Sequence, residues 1–331
     1  MADRAATVVA FLAAAGWADA SRTPLAGDAS ARRYERLSRT SQTAILMDAP
    51  PGTADSTVDF VAIGRHLLSL GLSAPRILAE DHRHGLLLLE DLGDALFARV
   101  LQADPARETK LYTLASDVLI RLQSRPAPTG LPCLSSSDWA QSALFALDFY
   151  APANTVEPAQ RTAFLAALET ALNQFAVGPR VLVLRDFHAE NLIWLPDRTG
   201  LARAGLLDFQ LAQMAHPAFD LVSLLQDARR DVAPETEADM TERFCRKTGA
   251  SAQDFGTAFA TLGALRALRI LGVFARLARV SGKPGYLPLC PRVWGHLTRN
   301  LEHPALENLA AICARVLPAP TASHLQRIAN P

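Results

Sequence analysis

The chain has 331 residues, of which 50% are hydrophobic and 20% charged, enough for one large domain or two lobes with a substantial core. Its 33 lysine and arginine residues balance 33 acidic residues, so no overall field attracts nucleic acid or an anionic membrane surface. The four cysteines lie far apart without a CxxC spacing, which predicts reduced thiols rather than disulfides or a zinc site. A site that needs only local charge, such as one for ATP, remains compatible with this balance.

The N-terminal stretch TVVAFLAAAGWADA is apolar and ends in Ala18-Asp19-Ala20, which resembles a signal-peptidase site. Asp3 beside Arg4 gives a poor positive region, however, and the apolar spacing is typical of an amphipathic first helix. No later uninterrupted apolar run reaches the ~18 residues that span a bilayer. We therefore expect a monomeric, cytoplasmic protein without a membrane or nucleic-acid partner.

Residues 1–92 alternate helical and strand-like patterns. After the first helix, alternating residues at 33–37 and 43–48 predict a hairpin, and a helix is predicted around 59–70. The segments APRILAED and GLLLLEDLGD are then typical of two more strands. These elements predict a small mixed-sheet lobe, a nucleotide-binding lobe if the chain binds ATP, that ends at residue 92.

Residues 93–331 are predicted to form a large, mainly helical lobe. Helical patterns rich in alanine and leucine cover residues 94–125 and 137–175, and the chain is helical again from Leu221 onward. Short strand-like runs return only at Val181–Leu184, Leu192–Leu195 and Ala204–Leu207. The predicted fold class is therefore α+β, with a small β insert inside the helical lobe.

Polar residues follow the strands of this insert. Asp186 and Asn191 flank the loop FHAE between two apolar runs, and Asp208-Phe209-Gln210 follows the third run. A carboxylate and an amide form the hard-oxygen site that Mg²⁺ prefers when waters and phosphates supply the other ligands. The order D-x₄-N and then D-F-x is typical of phosphoryl transfer, in which the first acid accepts a proton from a hydroxyl. These residues could instead cap a turn and end a strand, but the joint pattern favours a site.

A phosphate-binding turn is expected in the first lobe. The segment LAGDASARRYERL holds Gly27, Ala29 and Ser30, which are small enough to bring backbone N–H groups close to a phosphate. An ordinary polar turn is the alternative. At the end of the same lobe, the backbone from Glu90 to Leu92 could bond an adenine edge, and solvated charges at a strand end are the alternative.

The chain resembles the aminoglycoside phosphotransferase superfamily, small-molecule kinases with a bilobal, protein-kinase-like fold. Within it, the chain is similar to the bacterial anomeric kinases that phosphorylate N-acetylmuramate and N-acetylglucosamine at C1 in cell-wall recycling. The likeness is carried between residues 27 and 294 by the segments GDASARRYERL, MDAPP, LLLEDLGD, RDFHAENL, LLDFQ, HPAFDLVSLLQDARRDV, LRILGVFARL and GKPGYLPLCPRVW. The resemblance implies a sugar 1-kinase that uses ATP and Mg²⁺.

The resemblance also implies roles for single residues. Asp186 is the expected general base, and Asn191 and Asp208 are the expected Mg²⁺ ligands. The turn Asp28–Ser30 is expected to lie over the ATP phosphates. His188, two residues past the base, is expected to contact the sugar, with a purely structural role as the alternative.

Two departures from the kinase pattern stand out. Kinases of this superfamily usually place histidine two residues before the catalytic aspartate, where this chain has Leu184. Kinases also pair a strand lysine with the α- and β-phosphates, but here the matching position is Met47 and residues 1–92 contain no lysine. The helix FVAIGRHLLSLG lacks the acid that would hold such a lysine. Arg32 or Arg33 could supply the missing charge through a guanidinium fork.

Substrate selectivity is expected from the helical lobe. Asp148 and Tyr150 lie near a helix end, where an acid beside an aromatic ring suits a sugar. Arg269 and Arg276 are seven residues apart and hence share a helix face, where one could bind the carboxylate of N-acetylmuramate. A helix cap and surface arginines are the alternatives.

Two other functions remain open at this stage. A related enzyme could phosphorylate an aminoglycoside or another hydroxylated metabolite, although a polycationic antibiotic would require a more acidic lining than this arginine-containing lobe offers. A nucleotide-binding scaffold without turnover is the other alternative, and it is motivated by Met47 and Leu184.

Overall fold

The structure, a computed structural model, describes residues 2–25, 32–52, 56–152 and 156–330. The predicted phosphate turn at Asp28, Ala29 and Ser30 lies outside these described residues. Contacts divide the chain into two compact units, Met1–Thr129 with Leu184–Ala212, and Gly130–Val183 with Gln213–Pro331. This division does not coincide with the predicted lobe boundary between residues 92 and 93, which stays a prediction.

The described elements alternate first between helices and strands and later become mainly helical. The chain begins with α1 (Ala2–Ala14), β1 (Ser21–Pro24), β2 (Arg33–Arg39), β3 (Gln42–Asp48), α2 (Thr57–Ser69), β4 (Ile77–Asp81), β5 (Leu86–Glu90), α3 (Phe97–Ala103) and α4 (Glu108–Gln123). It continues with α5 (Ser136–Ser142), a π-helical turn (Ala146–Tyr150), α6 (Pro158–Phe175), β6 (Val181–Val183), β7 (Leu192–Trp194), β8 (Ala204–Leu206) and β9 (Gln213–Ala215). The remaining helices are α7 (Ala218–Leu225), α8 (Pro234–Thr248), α9 (Ala252–Ser281), α10 (Cys290–Leu301), α11 (Glu307–Val316) and α12 (Ala322–Ala329).

The first unit is built on a five-stranded antiparallel sheet with the strand order β1-β2-β3-β5-β4. The predicted hairpin is confirmed, because β2 pairs with β3 in register from Arg33 opposite Asp48 to Arg39 opposite Gln42. One face of the sheet packs against α1 and closes a small apolar core, so the predicted amphipathic first helix is confirmed. This core is formed by Val8, Phe11, Leu12, Trp17, Leu37, Ala44, Leu46, Leu86 and Leu88.

Alternation along the strands places a different set of side chains on the opposite face of the sheet. Tyr34 in β2 is paired with Met47 in β3, and Met47 is paired with Leu87 in β5. Side chains of directly paired residues lie on one face, so these three residues share the face opposite the α1 core. Met47, at the position expected for a lysine, is 1% exposed and packs as an apolar residue.

Helix α2 follows from local signals in the sequence. The side chain of Ser56 accepts a hydrogen bond from the N–H of Asp59, which caps the first turn. The apolar residues Phe60, Ile63 and Leu67 recur at helical spacing and are buried. Gly71, with a φ of 75°, adopts the left-handed conformation that follows many helix ends.

The three short strands predicted for the β insert are confirmed, but they do not form one sheet. β7 pairs with β8 within the first unit, from Leu192 opposite Leu206 to Trp194 opposite Ala204. β6 belongs to the second unit and pairs with β9, an element that the sequence patterns did not predict. The first unit therefore contains the loop between Leu184 and Leu192 and the segment that follows β8.

The second unit surrounds the long helix α9. This helix has 30 residues, and it is long and apolar enough to cross a membrane, with a mean hydropathy of 1.6 in its most apolar window. However, 78% of that window is buried inside the protein, as in the core helix of a globular unit. Arg266 and Arg269 interrupt its apolar run, which explains why uninterrupted runs in the sequence did not reveal it.

One buried and one half-buried histidine, His216 and His296, make the stability of the second unit sensitive to acid. Burial, helped by the charge of Arg180, lowers the pKa of His216 to about 4, and burial lowers the pKa of His296 to about 4. Nδ1 of His216 accepts the N–H of Ala218 at 3.1 Å, a bond that requires a neutral acceptor. In the unfolded chain these two histidines bind protons near pH 6.5. Their contribution to stability is therefore fully present above that pH and is lost as the pH falls toward 4.

We predict that each histidine lowers the free energy of unfolding by about 2 kcal/mol when the pH falls from 7 to 5. In His216→Asn the amide oxygen can still accept the N–H of Ala218, but the group no longer titrates. Urea unfolding at pH 7 and pH 5 should therefore show a smaller acid loss for this variant than for the wild type. Equal losses in the two proteins would contradict the prediction.

Candidate active site

The loop that carries Asp186 begins with a strained turn. The N–H of Asp186 donates to the carbonyl of Leu184 at 3.0 Å, across Arg185, whose φ is 73°. A bond between residues two apart with a positive central φ is characteristic of the rare, strained γ-turn. Such strain persists where the surrounding packing determines the conformation, and it concentrates at functional sites. The buried side chains of Leu184 and Phe187 lie on either side of the partly exposed Asp186.

The amide of Asn191 is held in one orientation by the same loop. Its Nδ2 donates to the backbone carbonyl of Asp186 at 2.8 Å and lies 3.4 Å from Nε2 of His188. The backbone N–H of Asn191 donates to the carbonyl of His188 at 2.9 Å. Among the residues that the structure describes, none donates a hydrogen bond to Oδ1 of Asn191. The nitrogen of this amide is therefore occupied, and its oxygen is available to a ligand.

The hairpin of β7 and β8 brings Asn191 and Asp208 to the same end of one ladder. Leu192 is paired with Leu206, and the N–H of Leu207 donates to the carbonyl of Asn191 at 3.0 Å. This bond extends the ladder by one step beyond the strands, so Asp208 follows directly after the residue bonded to Asn191. Asn191 and Asp208 therefore follow paired strands at one end of the hairpin.

Asp208 is fixed through only one of its two carboxylate oxygens. Its φ of 56° lies in the left-handed region, which is uncommon for a residue with a side chain. Oδ1 accepts Nη2 of Arg32 at 2.7 Å and Nε2 of Gln210 at 3.0 Å. Within the described part of the chain, Oδ2 has no hydrogen-bond donor, and the side chain of Asp208 is 37% exposed.

Phe209 anchors this segment on α2. Its ring is fully buried and stacks on Phe60, with 4.7 Å between the ring centroids. It also passes so close to Gly64 that a Cβ added there would lie 3.4 Å from the ring. The apolar residue of the D-F-Q motif therefore fixes the backbone beside Asp208, and a small residue on α2 makes room for it.

The available oxygens fit a Mg²⁺ site. Oδ1 of Asn191 and Oδ2 of Asp208 are hard-oxygen donors at the same end of the hairpin, and two protein ligands suit an ion that keeps waters or phosphates as its other ligands. A group of three or more His, Cys, Asp or Glu side chains able to hold a metal does not occur among the described residues. The fit to Mg²⁺ shared with a nucleotide rests on the oxygens of Asn191 and Asp208 alone.

The lysine–acid pair of protein kinases has no counterpart at the matching positions. Met47 is buried in β3, and the one acid in α2 is Asp59, in its first turn. Lys110 is the one lysine in the sequence of the first unit, and its ammonium lies 5.6 Å from the ring centroid of Trp194. The Arg32 side chain, 5% exposed, reaches Asp208 instead.

In the segment Glu90 to Leu92, which is predicted to bond an adenine edge, the two acidic side chains have structural partners. The carboxylate of Glu90 forms ion pairs with Arg76 at 3.2 Å and Arg198 at 2.8 Å, so this side chain holds the end of β5 in place. Asp91 pairs with Arg36 at 2.8 Å and accepts the N–H of Gly93 at 2.9 Å. In the described ranges, the backbone of Leu92 has no hydrogen-bond partner. An adenine contact through the backbone of Glu90 or Leu92 stays a prediction.

The residues predicted to bind substrate are placed less favourably. His188 is 6% exposed and lies against Asn191, and its predicted sugar contact stays untested. In the second unit, Asp148 is exposed and pairs with Arg161 at 2.7 Å, and the exposed Arg276 lies 5.8 Å from the ring centroid of Phe145. The sugar contacts predicted for these two residues stay predictions.

The side chain of Tyr150 is enclosed within the second unit. The side chain is 0% exposed, and its hydroxyl donates to the carbonyl of Pro318 at 3.0 Å. Its ring also packs edge-on against His324, with 4.9 Å between centroids. A ring enclosed in this way stabilises the core of the helical unit, and the sugar contact predicted for Tyr150 stays a prediction.

Comparison with known proteins gives consistent matches along the chain. A model of the APH phosphotransferase enzyme family matches residues 21–255. The chain is similar to an N-acetylmuramate/N-acetylglucosamine kinase of Caulobacter vibrioides, at 39% identity over 96% of this chain and 98% of that protein. It is also similar to a kinase of the same name in Pseudomonas aeruginosa, at 31% identity over 91% of each chain.

Solved structures give the same fold. A choline/ethanolamine kinase family protein from Mesorhizobium loti superposes with a TM-score of 0.62 at 17% identity, covering 93% of this chain and 99% of that chain. The choline kinase LicA of Streptococcus pneumoniae, in complex with AMP, superposes with a TM-score of 0.59 at 16% identity, covering 93% and 98%. At these identities the likeness shows the fold alone, and it confirms the predicted α+β, protein-kinase-like class.

Proposed function

Because this chain belongs to the APH phosphotransferase enzyme family, we propose that it is an ATP-dependent kinase that phosphorylates the anomeric hydroxyl of N-acetylmuramate, N-acetylglucosamine or both. The observation that carries the proposal is the pairing at one hairpin end of the available oxygens of Asn191 and Asp208, next to the loop of Asp186. The names of its relatives support the choice of sugar.

In the proposed reaction, the carboxylate of Asp186 accepts the proton of the anomeric hydroxyl as that oxygen attacks the γ-phosphorus of ATP. The bond between the γ-phosphorus and the β,γ-bridging oxygen breaks, and ADP leaves. The strained turn at Arg185 and the bond from Asn191 fix the backbone of Asp186, which limits the positions that the carboxylate can reach. Asn191 and Asp208 would hold Mg²⁺, which neutralises charge on the phosphates when it is bound.

Other residues of the first unit are proposed to position the nucleotide. Arg32 binds the phosphates, and the turn of Asp28, Ala29 and Ser30 covers them with backbone N–H groups. The backbone at Glu90 and Leu92 binds the adenine edge.

In the second unit, Asp148 and Arg276 are proposed to select the sugar, with Arg276 suited to a lactyl carboxylate. His188 is proposed to contact the sugar, with a purely structural role as the alternative. The corresponding cellular proposal is a monomeric, cytoplasmic enzyme of peptidoglycan recycling.

The proposal is tested with purified protein, Mg-ATP and each amino sugar, with the product identified by ³¹P NMR. We expect a sugar 1-phosphate from at least one sugar, and no product from the matching 1-O-methyl glycoside, in which the anomeric oxygen carries no proton. Phosphorylation of the methyl glycoside would show that a different hydroxyl reacts. Transfer to an aminoglycoside or choline but to neither sugar would refute the proposed acceptor.

A further inference from the structure

The first unit lacks the usual cationic partner for ATP phosphates, yet it holds one buried cation at the site. Arg32 immediately precedes β2 and is 7% exposed overall, and no other arginine is buried among the residues that the structure describes. A buried guanidinium is costly unless a carboxylate pairs with it. The partner here is Asp208, 176 positions away in the chain, which is itself an expected metal ligand.

Arg32 lies on the same face of the sheet as Met47, which occupies the position of the missing lysine. Tyr34 is paired with Met47, so its side chain lies on the same sheet face. Continuing the alternation of β2 by two residues places Arg32 on this face as well, diagonal to Met47. Arg33, the next residue, falls on the opposite face and is exposed. This geometry distinguishes between the two arginines that the sequence left as alternatives.

Gln210 adds a second donor to the same carboxylate oxygen. The motif D-F-Q has glutamine where the protein-kinase motif D-F-G has glycine, and a glycine could not donate from a side chain. Nε2 of Gln210 lies 3.0 Å from Oδ1 of Asp208, and Nη2 of Arg32 lies 2.7 Å from the same atom. Two donors on Oδ1 and none from the described residues on Oδ2 make the two oxygens of this carboxylate unequal.

We propose that Arg32 and Gln210 form a two-donor clamp that holds Asp208 as a metal ligand through Oδ2 alone. In this arrangement Arg32 takes the place of the missing strand lysine, and Asp208 takes the place of the acid that would hold that lysine. Arg32 and Gln210 are thus positioning residues for Asp208. This inference rests on the proposed nucleotide and metal site and is independent of which sugar is phosphorylated.

The clamp has two measurable consequences. Outer-shell partners of metal-binding carboxylates are typically worth about 10- to 100-fold in metal affinity, so loss of either donor should weaken the metal site. The guanidinium of Arg32 carries a fixed positive charge that attracts phosphate, whereas the amide of Gln210 is neutral. Loss of Arg32 should therefore weaken the binding of ADP much more than the binding of adenosine. Loss of Gln210 should weaken mainly the binding of the metal.

The test uses the full chain and the variants Arg32→Met, Arg32→Lys and Gln210→Leu, with Arg33→Met as the matched control. Thermal unfolding identifies the variants that fold. Calorimetry measures ADP and adenosine binding, and electron paramagnetic resonance measures Mn²⁺ binding in the presence of ADP. We expect Arg32→Met and Gln210→Leu to weaken Mn²⁺ binding by about 10- to 100-fold. We expect Arg32→Met also to weaken ADP binding. The affinity for adenosine should change less than about two-fold in every variant, and Arg33→Met should match the wild type. Arg32→Lys keeps the positive charge but loses the planar guanidinium. Its affinities for Mn²⁺ and ADP should therefore lie between those of the wild type and Arg32→Met.

Several outcomes would overturn the clamp. Tighter Mn²⁺ binding in Arg32→Met would mean that the arginine competes with the metal for Asp208 instead of positioning it. Unchanged Mn²⁺ binding in Gln210→Leu would show that Gln210 does not position Asp208 for the metal. Equal losses of ADP and adenosine would indicate a general disturbance of the pocket. If the wild type bound no ADP, the proposed function would fail together with this inference, whereas ADP binding without the variant effects would overturn this inference alone.

Discussion

Replacing Asp186 by asparagine is expected to lower the turnover number by about 10²- to 10⁴-fold, the usual contribution of a general base. Asparagine has nearly the same shape as aspartate, and the contact from Asn191 reaches the backbone carbonyl at position 186, which the substitution leaves in place. The variant therefore loses the proton acceptor but keeps the fold of the loop. The Kd for ATP should stay within about two-fold of the wild type, because Asp186 accepts the proton and is not a proposed metal ligand.

Asp197→Asn is the matched control for this prediction. Asp197 lies between β7 and β8, on the same hairpin, and is exposed. The control makes the same chemical change in the same unit and is expected to leave both kcat and the Kd for ATP unchanged. If Asp186→Asn retained the wild-type rate, the assignment of Asp186 as base would be wrong. If the wild-type protein bound ATP but transferred no phosphate to any acceptor, a nucleotide-binding scaffold would explain the chain better.

Much of the first unit could be predicted because its signals are local. The alternation at 33–37 and 43–48 predicted the hairpin of β2 and β3, which the register confirms. Ser56, Asp59 and Gly71 mark the ends of α2 by capping and by a left-handed glycine. The strand β9 has three residues and follows the D-F-Q segment directly, so its pairing with β6 depends on tertiary contacts that short patterns do not encode.

The sequence pattern identifies the candidate site residues, but it does not predict the contacts around them. Asp186, Asn191 and Asp208 each follow an apolar strand, and strand pairing then brings two of them to one end of a hairpin. By contrast, the bond between Arg32 and Asp208 spans 176 positions, and charge alone did not separate Arg32 from Arg33. Gln210 was overlooked, although a glutamine in place of glycine in such a motif is a readable signal.

The burial of Tyr150 has a specific structural origin. The sequence placed Tyr150 near a helix end, and residues 146–150 form a π-helical turn, in which the hydrogen bonds span one more residue than in an α-helix. This wider turn changes the direction in which later side chains point, so ordinary helical spacing misplaces them. Tyr150 then lies in the core, with its hydroxyl on the carbonyl of Pro318.

The two departures from the kinase pattern are thus compensated in different ways. Leu184, where histidine is usual, is 2% exposed and supports the turn before Asp186 through apolar packing. Met47 is likewise an apolar packing residue, and the cation has moved to Arg32, on the same face of the sheet. Both departures replace a polar contact by burial while the oxygens of Asn191 and Asp208 remain available. They therefore argue against reading the missing lysine as loss of catalysis.

The π-helical turn also underlies the largest expected effect on stability, at Gly272 in α9. A Cβ at this position would lie less than 3.0 Å from backbone atoms of Phe145 and Ala146, which cannot move independently of the turn. We expect Gly272→Ala to destabilise the second unit by about 3 kcal/mol, since overpacking against backbone forces the helix and the turn apart. In a unit of this size the melting temperature should fall by about 6–12 °C.

Gly256→Ala in the same helix is the control that separates this steric cost from helix propensity. Nothing lies within 4 Å of a Cβ built at Gly256, so alanine there should stabilise α9 by up to about 1 kcal/mol. The same substitution in the same helix should thus lower the melting temperature at one position and raise it at the other. Thermal unfolding of both variants measures the contrast. If Gly272→Ala were as stable as Gly256→Ala, the close approach of Phe145 and Ala146 to α9 would be wrong, and with it the buried position of Tyr150 that depends on this turn.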